Sequence, residues 1–350
     1  MSESEKFPRL TLVGDVAVEY AEPEELLEKI APYFRQSAIA FCNCEWALTD
    51  RGEPWPGKAG RIIRSDPRNI QTFIGAGFDV VTLANNHVMN YGPDGLIQTL
   101  ELLDGAGIKH CGAGMNLEEA HRPAIVEWGG LKVAFLGYTS VFIDGFEAGK
   151  DKPGMAVVRI ESSYRIPPRL HEVPGLPMVV ETVPNRSDSE RMCADIAAAG
   201  ALADAVVVSF HWGVSQGYQH LVQYQKIAGR AAIDAGADLV VGHHPHTVQP
   251  VEIYKGKVIA YSLAHCGFDM KSANHSWEAI AIEVPLDGPA FGFPLVRPIA
   301  NSANRPELIE MENVDFCRDW LSRMSQPLGT QFDVEGDALK PRSTDAAAPT

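Results

Sequence analysis

Short apolar runs alternate with segments of helical spacing along the first half of the chain. The runs "RLTLVGD" (9–15), "AIAFCNCE" (38–45) and "FDVVTLANNH" (78–87) are typical of buried strands. Between them, "EPEELLEKIAPYF" (22–34) and "DPRNIQTFIGAG" (66–77) have the apolar spacing and the end signals of helices. This rhythm predicts an α/β fold with a largely parallel sheet and helices on its faces.

The second half of the chain adds turn signals to this pattern. The apolar stretches 124–139 and 247–263 are interrupted by Gly129-Gly130 and Lys255-Gly256, which predicts two β-hairpins. A further helix is predicted after an N-terminal serine cap at Ser187. These elements continue the α/β pattern of the first half.

The division of the chain into domains follows from the continuity of the pattern. Residues 8–325 show no internal repeat and no clear linker, so we expect a single domain. Within it, the proline-rich segment Ser162–Pro184 has poor periodicity and predicts an inserted loop or lid. Residues 326–350 lack periodicity and are expected to form a disordered tail.

Composition limits the class of protein. The formal charge of -15 over 350 residues argues against binding to nucleic acid or to an anionic membrane. No apolar run reaches the length of a membrane span, and the polar first residues do not resemble a signal peptide. The 6 sparse cysteines are typical of reduced thiols. We therefore expect a cytoplasmic protein with a small-molecule substrate, and leave homo-oligomerisation open.

Polar side chains collect where the predicted strands end. They are Asp15, Asn43, Glu45, Asn85, Asn86, His87, His211, His243, His244, His246 and His265. Each alone could cap a helix or form a polar turn. Together, at the carboxyl edge of a parallel sheet, they predict a metal centre. Carboxylate, imidazole and carboxamide groups suit Mn, Fe or Zn ions in two adjacent positions.

Several motifs carry a family resemblance. They are "LVGDV" (12–16), "NCEWALTD" (43–50), "TLANNHVMNYG" (82–92), "HWG" (211–213) and "DAGADLVVGHHPHTVQPVEIYKGKVIAYSL" (234–263). Together they resemble the capsule-synthesis (CapA, or poly-γ-glutamate synthesis) family, a branch of the calcineurin-like metallophosphoesterases. The resemblance runs from about Leu10 to Asp269 and implies a four-layer α/β/β/α sandwich with a dinuclear centre.

The resemblance also implies roles for individual residues. Asp15 and His246 would hold one transition-metal ion, with Glu45 as a bridge to the other. The second ion would be held by Asn86, His211 and His244. His87 would lie just outside the metals and protonate the leaving group. The residues expected to contact substrate are Asn43, Trp46, Asn85, Asn90, Trp212 and His243.

Some positions depart from the family pattern. Val16-Ala17 follows Asp15 where an Asp-x-His motif is usual, and Asn90 replaces an acidic residue. His265 and Cys266 stand where Gly-Asn is expected. His265 is a candidate catalytic acid–base group or a replacement ligand; the alternative is a hydrogen-bonding substitute that touches no metal. Cys266 is expected to be a packed thiol.

The expected function is that of a dimetal-dependent hydrolase. A metal-bridging hydroxide would cleave a phosphoester, or an amide, ester or lactone bond, of a small molecule. The alternative is a non-catalytic or polymer-binding component of capsule or poly-γ-glutamate synthesis. A third hypothesis is a degenerate site that binds a small ligand without catalysis.

Overall fold

The computed structural model describes residues 7–19, 22, 25–56, 63–215, 220–268, 278–287, 290–302, 305–309 and 313–344. The strands are β1 Phe7–Ala17, β2 Ser37–Cys44, β3 Val80–Thr82, β4 Lys109–Cys111, β5 Ala113–Gly114, β6 Ala124–Trp128, β7 Leu131–Thr139, β8 Gly154–Met155, β9 Ile160–Arg165, β10 Val179–Pro184, β11 Ala205–His211, β12 Leu239–His243, β13 Val251–Tyr254, β14 Lys257–Ala260, β15 His265–Phe268, β16 Glu278–Asp287, β17 Ala290–Phe291, β18 Leu295–Ser302, β19 Arg305–Leu308, β20 Thr330–Glu335 and β21 Ala338–Ser343. The helices are α1 Ala31–Arg35, α2 Ile70–Ala76, α3 Gly92–Ala106, α4 Leu117–His121, α5 Arg186–Gly200, α6 Gln223–Asp234 and α7 Val314–Ser325.

The first large sheet is parallel in one half and antiparallel in the other. Its order is β20-β21-β18-β16-β1-β2-β3-β4. β1 to β4 pair in parallel, and β15 also pairs in parallel with β1. From β16 to β20 the pairs are antiparallel. In this sheet, the expectation of largely parallel pairing therefore holds for β1 to β4 and β15 but not for β16 to β21.

The second large sheet has the order β13-β14-β12-β11-β7-β6. Its inner strands β7, β11, β12 and β14 are parallel, and their ends therefore lie at one edge. The antiparallel pairs β6–β7 and β13–β14 confirm the two hairpins predicted at Gly129-Gly130 and Lys255-Gly256. Glycines at the turns have positive φ, as tight hairpins require.

Alternate residues of the second sheet divide between two apolar clusters. In β7, Val133 and Phe135 belong to the cluster shared with the first sheet, and Phe135 stacks on Phe41 of β2 at 5.5 Å between ring centroids. Leu136 of the same strand belongs to the cluster that includes Ile196 of α5. Each such buried side chain contributes about 2 kcal/mol. The two sheets therefore pack face to face, with their polar strand ends brought together.

Two helix predictions need correction. Residues 25–30 form turns, and α1 begins only at Ala31, because Pro32 fits the first turn of a helix but not its interior. The cap of α5 is Asn185 rather than Ser187: the Asn185 side chain accepts the Asp188 N–H at 3.1 Å. Asparagine caps a helix as well as serine does, so composition alone did not separate the two.

The segment Ser162–Pro184 is not wholly irregular. Its ends lie in β9 and β10, which pair as an antiparallel hairpin outside both large sheets. Tyr164 and Val180 face each other across this hairpin and are 75% and 56% exposed. The predicted insertion is thus a β-hairpin with an irregular connection, attached to α6 where the Thr182 N–H donates to Gln223 Oε1 at 3.0 Å, and its role as a lid remains a prediction.

The expected disordered tail is wrong for residues 326–343. β20 and β21 extend the edge of the first sheet, where Val296 pairs with Leu339. Phe332 and Leu339 are buried, and this burial offsets the entropy cost of ordering the segment. Residues 345–350 of the expected tail lie outside the described residues.

Within the part of the chain that the structure describes, no helix combines the length and apolar character needed to cross a bilayer.

Candidate metal centre

The candidate site lies where the carboxyl ends of strands from both sheets meet. In the first sheet, Asp15 of β1 is in register with Asn43 of β2 and His265 of β15. In the second, His211 of β11 is in register with His243 of β12. Strand register therefore brings together residues that are far apart in sequence.

One ligand group consists of two carboxylates and an imidazole. Ligand atoms of Asp15, Glu45 and His246 all lie within 4.8 Å of one another. His246 Nδ1 is 3.2 Å from Asp15 Oδ2, and its Nε2 is 3.5 Å from Glu45 Oε1. Both carboxylates are fully buried. The backbone N–H of Glu45 donates to Val16 at 3.1 Å, which holds the end of β2 beside β1.

A second group adjoins the first. His211 Nε2 lies 2.8 Å from Asn86 Oδ1, and the rings of His211 and His244 are 4.8 Å apart. The His244 ring is in turn 5.9 Å from the ring of His246. The structure therefore places the second predicted ligand set next to the first.

The two carboxylates create a place for positive charge. Burial opposes ionisation of Asp15, but hydrogen bonds and positive charge from His243 and His246 outweigh it and hold the pKa of Asp15 well below its ordinary value. Burial also disfavours charge on His246, yet Glu45 and Asp15 raise its pKa to about 9. A cationic group is thus favoured between the two carboxylates.

The histidines of the second group are held neutral. Burial, followed by repulsion from His244, lowers the pKa of His211 well below its ordinary value. Burial and the charge of His246 lower the pKa of His244 to about 3. Metal ligation requires a deprotonated imidazole nitrogen, so these two side chains are prepared for it.

The residues present fit a transition-metal pair. Buried carboxylate, imidazole and carboxamide donors converge without a thiolate, which suits Mn, Fe or Zn. His244 Nδ1 is buried and forms no hydrogen bond with any described residue. Such an atom costs about 1–3 kcal/mol unless it finds a partner, and a metal ion would supply one.

The backbone of the "GHHPH" loop is strained where it carries ligands. His244 and His246 have positive φ values of 93° and 56°, which side-chain-bearing residues rarely adopt. Each costs on the order of 1–3 kcal/mol and persists only where the surroundings impose it. Left-handed backbone on both sides of Pro245 turns the chain so that both imidazoles reach the site.

His87 lies at the rim of the two groups. Its Nε2 is 3.8 Å from Glu45 Oε1 and 3.2 Å from Asn86 Nδ2, and 14% of its side chain is exposed. Its Nδ1 is 3.1 Å from Asn90 Nδ2. The Asn85 side chain accepts the His87 backbone N–H at 3.0 Å. The "NNH" turn thus holds one accessible imidazole beside a buried carboxylate.

Comparison with known proteins shows the family of this chain. The profile of the bacterial capsule synthesis protein PGA_cap family matches residues 9–270. The chain belongs to the PGA_cap family. The match covers both ligand groups and His87, while β16 and all later elements lie beyond it.

Individual PGA_cap relatives are similar over most of this chain. The capsule biosynthesis protein CapA of Bacillus anthracis is 28% identical, covering 76% of this chain and 61% of that protein. The PGA biosynthesis protein CapA of Bacillus subtilis is 30% identical, covering 74% and 63%. A probable polyglutamine synthesis accessory protein of Mycobacterium tuberculosis is 27% identical, covering 95% and 82%. The chain thus spans 61% and 63% of the length of the two Bacillus proteins.

The residues expected to contact substrate are all buried. Asn43, Trp46, Asn85, Asn90, Trp212 and His243 are each 1% exposed or less. Trp212 packs on the outer side of the second sheet, where its Nε1 donates to the Tyr261 carbonyl at 2.8 Å. Asp15 and Glu45 are equally buried, so contact of these six side chains with a substrate stays a prediction. Two of them hold neighbouring site residues: Asn43 Nδ2 donates to Asp15 Oδ1 at 2.8 Å, and Asn85 Oδ1 accepts the His87 backbone N–H at 3.0 Å.

His265 lies under the site rather than at its mouth. It is 1% exposed, and its ring is 6.3 Å from His246 and 5.5 Å from Phe268. It is not among the residues whose ligand atoms cluster within 4.8 Å. Its role as an acid–base group, a ligand or a hydrogen-bonding substitute stays a prediction. Burial also raises the pKa of Cys266 well above its ordinary value, in agreement with a packed thiol.

Sequence reasoning missed Phe268. Its ring lies 5.0 Å from His246 and 5.4 Å from Trp46, and it closes the apolar side of the site. The pairing of β15 with β1 shifts register between Asp15 and Ala17. A pattern of alternating residues cannot reveal such a shift, although the position of Phe268 just past the last motif was a usable signal.

Proposed function

We propose that the chain is a dimetal-dependent hydrolase that cleaves a phosphoester, or an amide, ester or lactone bond, of a small molecule. The observation that carries the proposal is the convergence of Asp15, Glu45 and His246 within 4.8 Å, in a buried site. We also propose that the two face-to-face sheets and their outer helices form the four-layer sandwich of the calcineurin-like metallophosphoesterases.

Two ligand groups are available to hold the metals. Asp15, Glu45 and His246 would hold one ion, and Asn86, His211 and His244 the other. Bound transition ions would supply an activated water and polarise the bond under attack. The protein's own part is to bury the donors, keep His211 and His244 neutral, and fix the ligand spacing through the strained loop.

The proposal gives His87 the role of moving a proton. It is partly exposed, lies 3.8 Å from Glu45 Oε1, and is held by contacts to Asn86 and Asn90 on its two ring nitrogens. A group in this place would protonate the leaving atom of a substrate at the open side of the site. The role requires no direct ligation of a metal.

The test combines metal analysis with turnover. Protein purified without an affinity tag or chelator would be measured for Mn, Fe and Zn, and assayed on phosphomonoesters, phosphodiesters, γ-glutamyl amides and lactones. We expect close to two ions per chain, and turnover on one of these substrate classes. No bound metal after reconstitution with each ion would contradict the dinuclear mechanism.

Three variants separate the roles within the site. Glu45→Ala should remove both metal and activity, whereas His87→Ala should remove activity and leave the metal bound. His110→Ala, which alters a histidine paired with Asp104 at 3.2 Å outside the site, is the matched control and should change neither. Equal loss of metal from His87→Ala and Glu45→Ala would show that the proton-transfer assignment is wrong.

A second candidate function rests on the names of the relatives. The M. tuberculosis relative is named an accessory protein of polyglutamine synthesis, and the Bacillus relatives are named for capsule or PGA biosynthesis. A polymer-binding component would bind oligo-γ-glutamate without turnover. Binding of oligo-γ-glutamate without turnover of any of the assayed substrates would favour this candidate. The cytoplasmic location is a further proposal, which fractionation of cells would test.

A further inference from the structure

A cavity separate from the metal centre lies beside the end of α7. Its volume is about 450 Å³, within the range of small-molecule sites. The walls come from the chain around the first turn of α6, the start of β13, the last turns of α7 and the 3₁₀ turn Gln326–Leu328. The residues that carry the argument are Lys226, Trp320, Arg323, Met324 and Leu328.

The charge of this cavity is opposite to that of the chain. The formal net charge of the protein is -15, yet Lys226 and Arg323 line the cavity together with His220. Among the described residues that form its walls, none carries a carboxylate. A concentration of positive charge on an acidic protein favours an anionic ligand, since it attracts the ligand that the remaining surface repels.

The two cations are also available to a ligand. Arg230 of α6 and Arg318 of α7 are each ion-paired with a carboxylate. Lys226 and Arg323 lie on the same two helices, and neither forms an ion pair or a side-chain hydrogen bond with a described residue. Lys226 is half-buried and Arg323 is exposed at the mouth. On these two helices, Arg230 and Arg318 are thus bound to carboxylates, whereas Lys226 and Arg323 line the cavity.

The remaining wall is apolar. Trp320, Met324 and Leu328 are all half-buried and line the cavity. An indole next to a thioether provides a flat, polarisable contact for a ring. From Lys226, Arg323 and this apolar wall, we propose that the cavity binds an organic anion with an apolar ring. This inference is independent of the proposed hydrolase activity.

The probe for this site is 8-anilinonaphthalene-1-sulfonate, an aryl anion whose fluorescence rises in apolar surroundings. The full chain would be titrated as wild type and as the Lys226→Gln/Arg323→Gln double variant. We expect the double variant to bind about tenfold more weakly or worse, because both charge contacts are lost. The Lys132→Gln/Arg318→Gln variant removes the same charge outside the cavity and should retain wild-type affinity.

Two further arms test charge recognition and the type of anion. The uncharged N-phenyl-1-naphthylamine should bind wild type and the double variant alike. Displacement of the sulfonate probe by 2-naphthoate would assign a carboxylate ligand, and displacement by 2-naphthylphosphonate a phosphoryl one. Equal probe affinity in wild type and the double variant would overturn the proposal. An equal loss of probe affinity in the Lys132→Gln/Arg318→Gln variant would also overturn it. So would an equal loss of affinity for the uncharged probe in the double variant, or a failure of both competitors to displace the sulfonate probe.

Discussion

The imidazole of His246 should act as the counter-charge of the site when no metal is bound. It lies 3.2 Å from Asp15 Oδ2 and 3.5 Å from Glu45 Oε1, and both carboxylates are fully buried. His246→Asn removes this charge but keeps a residue that tolerates the left-handed φ of 56°. The substitution therefore tests charge more than backbone conformation.

The magnitude follows from the pKa of His246. Its rise from the ordinary 6.5 to about 9 corresponds to about 3 kcal/mol of stability, at about 1.4 kcal/mol for each unit of pH. Loss of one partner of a buried ion pair costs a similar amount, about 3–5 kcal/mol. Because the folded-state pKa is raised, this stability is complete below pH 6.5 and disappears as the pH rises through about 9.

The assay is urea unfolding in EDTA, followed by the fluorescence of buried Trp46 and Trp212. At pH 6 wild type should exceed His246→Asn by about 3 kcal/mol, and at pH 10 the gap should close. His244→Asn is the matched control, because a pKa of about 3 keeps His244 neutral over this range. A gap for His246→Asn that does not change with pH would refute the reasoning.

Other changes probe the packing around the site. Gly242→Ala would place a Cβ 1.9 Å from the Tyr261 carbonyl oxygen, so we expect a loss of about 3 kcal/mol in urea unfolding. His265→Asn should leave the metal content unchanged by elemental analysis, since His265 lies outside the ligand cluster; loss of an ion would make it a ligand. Deletion of residues 326–350 should cost about 4 kcal/mol, because Phe332 and Leu339 lose their burial; an unchanged urea midpoint would contradict this.

The sequence predicted which strand-end residues lie near one another better than it predicted what surrounds them. Parallel strands end at one edge, so the positions of Asp15 and Asn43 after two neighbouring apolar runs, and of His211 and His243 after two others, were enough to bring each pair together. The turn residues at Gly129-Gly130 and Lys255-Gly256 likewise specified their hairpins locally. These predictions succeeded because each depends on a short stretch of chain and on a general rule of sheet geometry.

The failures share a dependence on distant packing. The burial of Trp212 on the outer face of its sheet is set by contacts with Tyr261 and helix α6, which the strand pattern does not contain. The order of residues 330–343 depends on an open edge at β18, formed far away in sequence. In the same way, the register shift beside Asp15 arises from pairing with β15 and has no local signal.

The antiparallel pairing of β1 with β16 has a consequence for biogenesis. Leu12 of β1 is in register with Ile282, so the strand that carries Asp15 lacks one neighbour until the ribosome has added the 270 residues that separate positions 12 and 282. Pairings of such long range form slowly and expose strand edges while they wait. We therefore expect nascent chains released before residue 282 to need chaperone protection, and Asp15 to reach its final surroundings only after β16 has been made.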